Sequence, residues 1–534
     1  MAVTDARTFN PGRRMPAARI LFSALGLLIG GLMLLPLVWL VMRAFQADLA
    51  TVWSMLTRPR TLQMLLNTLA LVGGVLVLAT AMALPLAWLV SRTDLKGRRL
   101  VNILAVIPLA VPGYVMAYAL IGLSGNFGFL NQTFGFTIPR LQGWSGATLA
   151  LSLYTFSYIY LNLRAALSGL DQSIEEAARA LGATPREVFL RVTLPHLLPA
   201  LMAGWLVVGL YVIGDFGAVA LMRYEVFSYA IYIQYSAAFD RIYAAWLALI
   251  LIAIALSVVW WESRLREGAS FTRTGSGAGA RPRRHRLSPL GQLLGWAFVA
   301  LVALASIGLP VAVLGFWMLR IDDLPAVLPE LLRAFGQSLS AAVPAAVLAA
   351  LMALPVAVLA VRYPSPLSTL INRLAFVGYA VPALAFALAF VFFSLQGARF
   401  LYQTQLLLVL VYALSFLALA LGPIRSALYL ARPSVEEAAR ALGHGPASTF
   451  WRVTLPTIRP GVVAGMVLVF VIAMKELPIA FLLAPTGFRP LSITMFSRTS
   501  EGMLIDAAPY AAAIILFSAL FVGFVLRHDR KAGE

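Results

Sequence analysis

Apolar residues in this chain gather into runs of about twenty, the length needed to cross a bilayer as a helix. Clear runs are Ile20 to Val41, Leu69 to Val90, Leu201 to Leu221, Leu293 to Leu314 and Val462 to Leu482. The full pattern predicts twelve spans, at 20–42, 64–91, 100–123, 146–167, 198–222, 242–261, 291–318, 337–361, 371–395, 404–427, 459–484 and 508–526. One such run could be a buried core helix, but twelve in one chain cannot. The expected fold is therefore an all-α polytopic membrane protein. The pattern stops at 263–290, where GASFTRTGSGAGARPRRHR has no apolar period and reads as a flexible linker. It separates an expected first half, 1–262, from a second, 291–534, with six spans in each.

Composition agrees: 61% of the 534 residues are hydrophobic and 12% charged. A soluble domain is nearer half apolar and a quarter charged. The absence of cysteine excludes disulfides, thiolate metal sites and cysteine catalysis. His196, His285, His444 and His528 fall in loops or tails, none at ligand spacing to another, so no metal site or catalytic residue is expected. A net charge of +19 would suggest nucleic acid in a soluble protein. Here the cations sit in short loops between spans, where they act as a topology signal, and no nucleic acid is expected. With the N-terminus in the cytoplasm, 29 Lys and Arg fall on the inside and 11 on the outside, with Lys475 inside a span. That bias puts both termini in the cytoplasm. The first apolar run reads as a retained span rather than a cleaved signal.

The halves repeat one another. Residues 175–199, EEAARALGATPREVFLRVTLPHLLP, align without a gap on 436–460, EEAARALGHGPASTFWRVTLPTIRP, with 16 of 25 positions identical at an offset of 261. MALPLAWLVSR at 82–92 matches MALPVAVLAVR at 352–362, at an offset of 270. Six spans separate the copies, so both loops lie on one side of the membrane and the repeat is parallel.

Local rules give the loop a shape. Ser173 with Glu176, and Ser434 with Glu437, have the spacing of capping boxes. Glu175, Glu176, Glu436 and Glu437 would sit at the positive end of a helix dipole. Gly182 and Gly443 are placed to end the short helices in a left-handed cap. Thr184-Pro185 opens a second helix, with Glu187 three residues after Thr184; Gly445-Pro446 is the counterpart. Pro195 and Pro456 are expected to end that second helix. The expectation is a rigid helix–turn–helix outside the membrane, with Ala177, Ala178, Leu181 and their mates as a shallow apolar face. Two near-identical copies, richer in identity than the spans around them, point to a surface that must keep its shape.

EEAARALG followed by a Pro-opened second helix, present twice and between the fourth and fifth spans of each half, resembles the EAA loop of binding-protein-dependent ABC importer permeases of the type I fold. The resemblance covers essentially the whole chain. It implies that Glu175, Glu176, Ala177 and Gly182, with Glu436, Glu437, Ala438 and Gly443, form the coupling loops that seat on an ATPase. It also implies a bacterial inner-membrane location, an extracytoplasmic binding protein, and two copies of an ATPase subunit. No G-x-x-x-x-G-K-[ST] stretch occurs in the chain, so ATP would be bound and hydrolysed by that separate subunit and no cofactor by this one. Position 183 is Ala and position 444 is His, so the two surfaces differ.

Ionisable residues within spans are candidates for the pathway or its gate. Asp215 in GDFGAVAL aligns with Glu476 in KELPIAFL at the same offset of 261, with Lys475 beside it. Local pairing is the alternative. Pro112 and Pro382 break the third span of each half, as a packing kink or a gating hinge. The GDFG and KELP segments and the fused double-length chain resemble the ferric-iron branch of these permeases, with thiamine, sulfate, polyamine and phosphonate permeases as relatives. A 6+6 secondary transporter would also carry a basic central loop, but not a duplicated loop within each half. A membrane enzyme would need clustered catalytic groups that the sequence lacks.

Overall fold

The computed structural model describes residues 16–170, 172–238, 240–267 and 284–532. The stretch 268–283 of the expected linker lies outside the described residues, as do Arg7, Arg13 and Arg14. The described residues are helical almost throughout. The helices that position the site are α1 (Pro16–Ala44), α2 (Pro59–Arg92), α3 (Gly143–Gly169), α4 (Gln172–Ala180), α5 (Leu194–Gly214), α6 (Pro289–Ala303), α7 (Leu324–Arg362), α8 (Pro433–Ala441), α9 (Leu455–Met474) and α10 (Leu504–Ala532). In a membrane only helices and closed barrels satisfy every backbone polar group within the segment, so long apolar runs fold this way.

Seven helices among the described residues are long and apolar enough to span, or ten if each sharply bent pair is one span. Twelve were expected. The remaining two are α3 and α10. Thr148, Ser152, Thr155 and Ser157 dilute the apolar character of α3, and all four are buried inside the protein. In α10 the apolar part among the described residues is Leu504–Leu520, shorter than a full span. The third expected span is not straight: Arg98–Ala110 and Gly113–Leu123 meet at 94°, and Pro366–Ala380 and Ala383–Gly397 meet at 105°. Pro112 and Pro382 stand at these breaks as the N-caps of the second segments. Such angles far exceed an ordinary proline kink, so each third span is a broken one.

Contacts divide the chain into two compact units that do not follow chain order. One comprises Met1–Gln46 with Arg333–Pro490, the other Ala47–Leu332 with Leu491–Glu534. The expected halves 1–262 and 291–534 describe the sequence repeat, whereas α1 packs with helices of the second half. At Gly26 a Cβ would stand 2.9 Å from Ile371 and 3.1 Å from Leu359, so α1 lies hard against both. In the second unit Gly204 of α5 lets that helix approach α3, where a Cβ would meet the Ile159 Cα at 3.1 Å. In the first unit Gly465 of α9 sits the same way against Ala420, with a Cβ 2.9 Å from its carbonyl oxygen. Both pairs stand at the repeat offset, so small residues seat the fifth span on the fourth in each copy.

Candidate docking loops

The short helices α4 and α8 both end in a Schellman turn. Gly182 has φ 89° and Gly443 φ 90°. Ala183 N–H donates to Ala178 O at 3.1 Å, and His444 N–H to Ala439 O at 3.1 Å. No atom lies within 4 Å of where either Cβ would stand. Glycine is required here by the left-handed backbone and not by crowding.

The helix starts differ from expectation. α8 begins at Pro433, its N-cap is Arg432, and no side chain caps it, so the Ser434–Glu437 capping box is absent. α4 begins at Gln172, which puts Ser173 inside the first turn. Pro433, with its fixed φ and no N–H, suits the first helical position and sets the start two residues earlier than a Ser434 cap would. A capping box does form at the turn into the second loop helix. Thr184 N–H donates to Glu187 Oε2 at 2.9 Å, and Glu187 N–H to Thr184 Oγ1 at 3.3 Å. These bonds, the backbone one first, hold the Glu187 carboxyl below the ordinary carboxylate range.

The paired glutamates take separate roles. Glu175 and Glu436 are buried, while Glu176 and Glu437 are exposed. Arg92, the last residue of α2, places Nη2 3.2 Å from Glu175 Oε1, with both side chains almost fully buried. Thr193 Oγ1 donates to the same oxygen at 3.1 Å. Arg362, the last residue of α7, repeats this: Nε and Nη2 donate to Glu436 Oε1 at 3.2 and 3.0 Å, and Nη2 to Ala431 O at 3.0 Å. Among the described residues the Arg92 N–H groups make no aligned hydrogen bond, so the first copy is an ion pair by distance where the second is a hydrogen-bonded one. One turn later Arg179 and Arg440 reach their glutamates at 3.5 Å. Sequence reasoning missed Arg92 and Arg362 as partners. Both close the matched segments 82–92 and 352–362, but that match runs at an offset of 270 and the loops at 261, so nothing in the spacing pairs them.

Pro195 and Pro456 do not end a helix. Pro185–Val188, a π-helical turn at Phe189–Thr193 and α5 run on as one helix, and Pro446–Thr449, Phe450–Thr454 and α9 do the same. Leu194 N–H bonds to Phe189 O, and Leu455 N–H to Phe450 O. The wider turn shifts the ladder past the proline that has no N–H to give. The second loop helix is therefore the start of the fifth span, not a separate piece outside the membrane.

The outward apolar face is small. Leu181 is 89% and Leu442 82% exposed, beside exposed Ala177 and Ala438. The copies differ around it. In the first, the segment entering α6 is strapped to the end of α2: His285 N–H donates to Arg92 O at 2.9 Å, and Asp94 N–H to His285 O at 3.1 Å. The His285 ring stacks on Trp88, 6.2 Å between centroids, and its Nε2 lies 3.1 Å from Arg179 Nη2. A guanidinium only donates, so Nε2 is the acceptor and the imidazole is neutral. Burial first, then the Arg179 charge, pushes the His285 pKa down. In the second copy Val358 stands where Trp88 would, and Phe450 packs on Phe22 of α1 at 6.1 Å.

The acids in the fifth spans hold short helices. Asp215 Oδ1 accepts from the N–H groups of Ala218 and Val219 at 3.0 and 3.3 Å, in the first turn of Gly217–Leu221. Glu476 Oε1 accepts from Ile479 N–H at 3.3 Å, in Pro478–Leu483. The Asp215 carboxylate also borders the broken third span, its Oδ2 standing 3.3 Å from where a Gly113 Cβ would be. Lys475 closes α9 as its C-cap. Among the described residues no group of three His, Asp or Glu could hold a metal ion.

Spanning helices in a duplicated arrangement, each copy with a glycine-ended loop tied to its own spans, define a multi-pass membrane protein built from two repeats. The chain belongs to the family described as binding-protein-dependent transport system inner membrane component, which it matches twice, over residues 76–261 and 342–532. It is similar to the Fe(3+)-transport system permease protein FbpB 2 of Haemophilus influenzae, 32% identical over 508 residues, 95% of this chain and 97% of that one. It is also similar to the sulfate transport system permease protein CysT of Salmonella typhimurium, 30% identical over 236 residues, 43% of this chain and 85% of that one. The molybdenum transport system permease protein ModB of Escherichia coli is 35% identical over 134 residues, 25% of this chain and 58% of that one. The protein is thus a multi-pass ABC importer permease of the inner membrane, a transport subunit and not an enzyme.

Proposed function

We propose that this permease moves ferric iron into the cytoplasm. The observation that carries this reading is the end-to-end similarity to an Fe(3+) permease, which spans both halves and the connection between them. The sulfate permease similarity supports a second reading, an oxyanion, but extends over 43% of this chain. Both termini lie in the cytoplasm in this reading, which the 29 to 11 distribution of Lys and Arg supports. The halves 1–262 and 291–534, joined through 263–290, supply one docking loop each.

Two copies of a separate ATPase seat α4 and α8. Leu181 and Leu442 offer each of them an apolar contact, and Glu176 and Glu437 an exposed charge. A loaded extracytoplasmic binding protein delivers the ligand to the opposite face. When ATP closes the ATPase pair, each docking helix moves with its buried glutamate. Arg92 and Arg362 pass that movement to the second span of each half, and the continuous helix after Thr184 or Gly445 passes it to the fifth. The breaks at Pro112 and Pro382, beside the short helices capped by Asp215 and Glu476, are the places where the pathway opens. ATP stays on the partner.

The test is ATPase dependence. Uptake of radiolabelled ferric iron by cells carrying this permease should vanish when the partner ATPase gene is deleted. Uptake that persists without the ATPase would overturn the importer mechanism; ATPase-dependent uptake of sulfate in place of iron would move the ligand to the second reading.

A further inference from the structure

A cavity of about 510 Å³ opens at the far end of α5 from the first docking loop, within one compact unit. Three separate segments wall it: Arg140 ahead of α3, then Arg223, Glu225 and Tyr229 after the short helix Gly217–Leu221, and Thr499 and Ser500 at the end of Leu491–Ser500. A backbone bond joins the first two segments, Gly143 N–H donating to Met222 O at 2.7 Å. Asn67 of α2 fixes the turn from another side, its Nδ2 donating to Glu225 O at 2.8 Å. The guanidiniums of Arg140 and Arg223 therefore line one space on a braced frame.

Arg223 stands there against the preference of its backbone. Its φ is 53°, in the left-handed region. Arg223 N–H donates to Ala220 O at 3.1 Å and Tyr224 N–H to Val219 O at 2.9 Å, the same turn that Gly182 and Gly443 make with glycine. A residue with a long side chain rarely takes that place. Nor does the repeat demand it. At the offset of 261 the equivalent residue is Ala484, whose φ of −60° and ψ of 135° carry the chain out extended. A strained position filled by a large cation points to the side chain as the reason for the strain.

The chemistry of the wall narrows what it takes. Glu225 is the carboxylate in the lining, and Arg60 holds it, Nε donating to Oε1 at 3.1 Å. Thr499 and Ser500 donate their hydroxyl protons to Met495 O and Ser497 O, at 2.7 and 2.8 Å. Among the described residues neither Arg140 nor Arg223 has an ion-pair partner. Two guanidiniums and the Tyr229 phenol remain as donors in a cavity whose acid is already neutralised. The planar guanidinium fork matches the paired oxygens of a carboxylate, sulfate or phosphate.

We propose that this cavity binds one small multivalent oxyanion between Arg140 and Arg223, with Tyr229 as a further donor. The ion ties the segment before α3 to the turn that follows α5. The assignment goes beyond the permease reading and is tested without ATPase or uptake, so it stands or falls apart from the identity of the transported ligand.

The full chain in detergent is titrated calorimetrically with sulfate, phosphate and citrate at constant ionic strength, with chloride as the control. Wild type should bind at least one of the three and not chloride, and that ion should raise its melting temperature. Arg223→Gly keeps the left-handed turn, which glycine adopts freely, so it should fold and melt no lower than wild type in the absence of the ion. Its affinity should fall about tenfold, the loss of one charge-assisted contact. Arg140→Gln should weaken binding by about as much. Binding of none of the three ions would overturn the proposal and leave the cavity to an acidic surface of a partner protein. An equal response to chloride would show charge screening alone, and unchanged affinity in either variant would place the ion elsewhere; each result would overturn it.

Discussion

A carboxylate and a guanidinium buried together resist the loss of either partner far more than the loss of both. Glu436→Gln leaves the Arg362 charge largely buried and should cost on the order of 3 kcal/mol, seen as a lowered melting temperature in detergent. Arg362→Met with Glu436→Leu should recover most of that stability while uptake stays low, because the tie from α8 to α7 is gone. Full uptake by the stable double variant would contradict the role given to the pair. The pKa of His285 in the folded protein lies below the ordinary 6.5, so the neutral ring is the one that fits. The stability it contributes is complete above 6.5 and is lost as pH falls through the lowered value. Melting temperature should therefore decline on acidification, and the decline should flatten in His285→Gln; an identical profile would remove His285 as the titrating group. At this scale the sequence marked the left-handed turns that end the two loop helices. Gly182 and Gly443 are legible because only a left-handed cap explains glycine after such a helix. The arginine partners are not, since a pair separated by 83 residues in one copy leaves no local pattern.

At the scale of elements, the π-helical turns set the angle between each docking helix and its span. A π turn carries one residue more than an α turn. Deleting Leu190 and Trp451 together should restore regular α-helix and rotate everything before the deletion by about 100° relative to α5 and α9. Membrane insertion should persist and uptake should be lost. Retained uptake would show that the loop reaches the spans by another route. The spans themselves were readable from apolar period alone. The breaks at Pro112 and Pro382 were readable as breaks, but their angles of 94° and 105° come from packing that a proline does not encode. Pro195 misled for a clear reason. Proline ends a regular helix, and a wide turn that spares its missing N–H has no sequence signature.

For the whole molecule, the family domain occurs twice in one chain, so in the proposed mechanism its two loops seat two ATPase partners. Hydrophobic pattern gave the number of halves but not the membership of α1, because an apolar stripe says that a helix is buried and not against what. The asymmetry between the copies follows from that membership: α1 brings Phe22 to one loop, while the segment entering α6 brings the His285 strap to the other. The central claim is that both left-handed turns carry the force that drives transport. The direct test is uptake of radiolabelled ferric iron in a host lacking this gene, restored with wild type or with Gly182→Asp plus Gly443→Asp, at equal amounts of inserted protein. Restoration by wild type alone is the predicted result; uptake by the double variant equal to that of wild type would contradict the account.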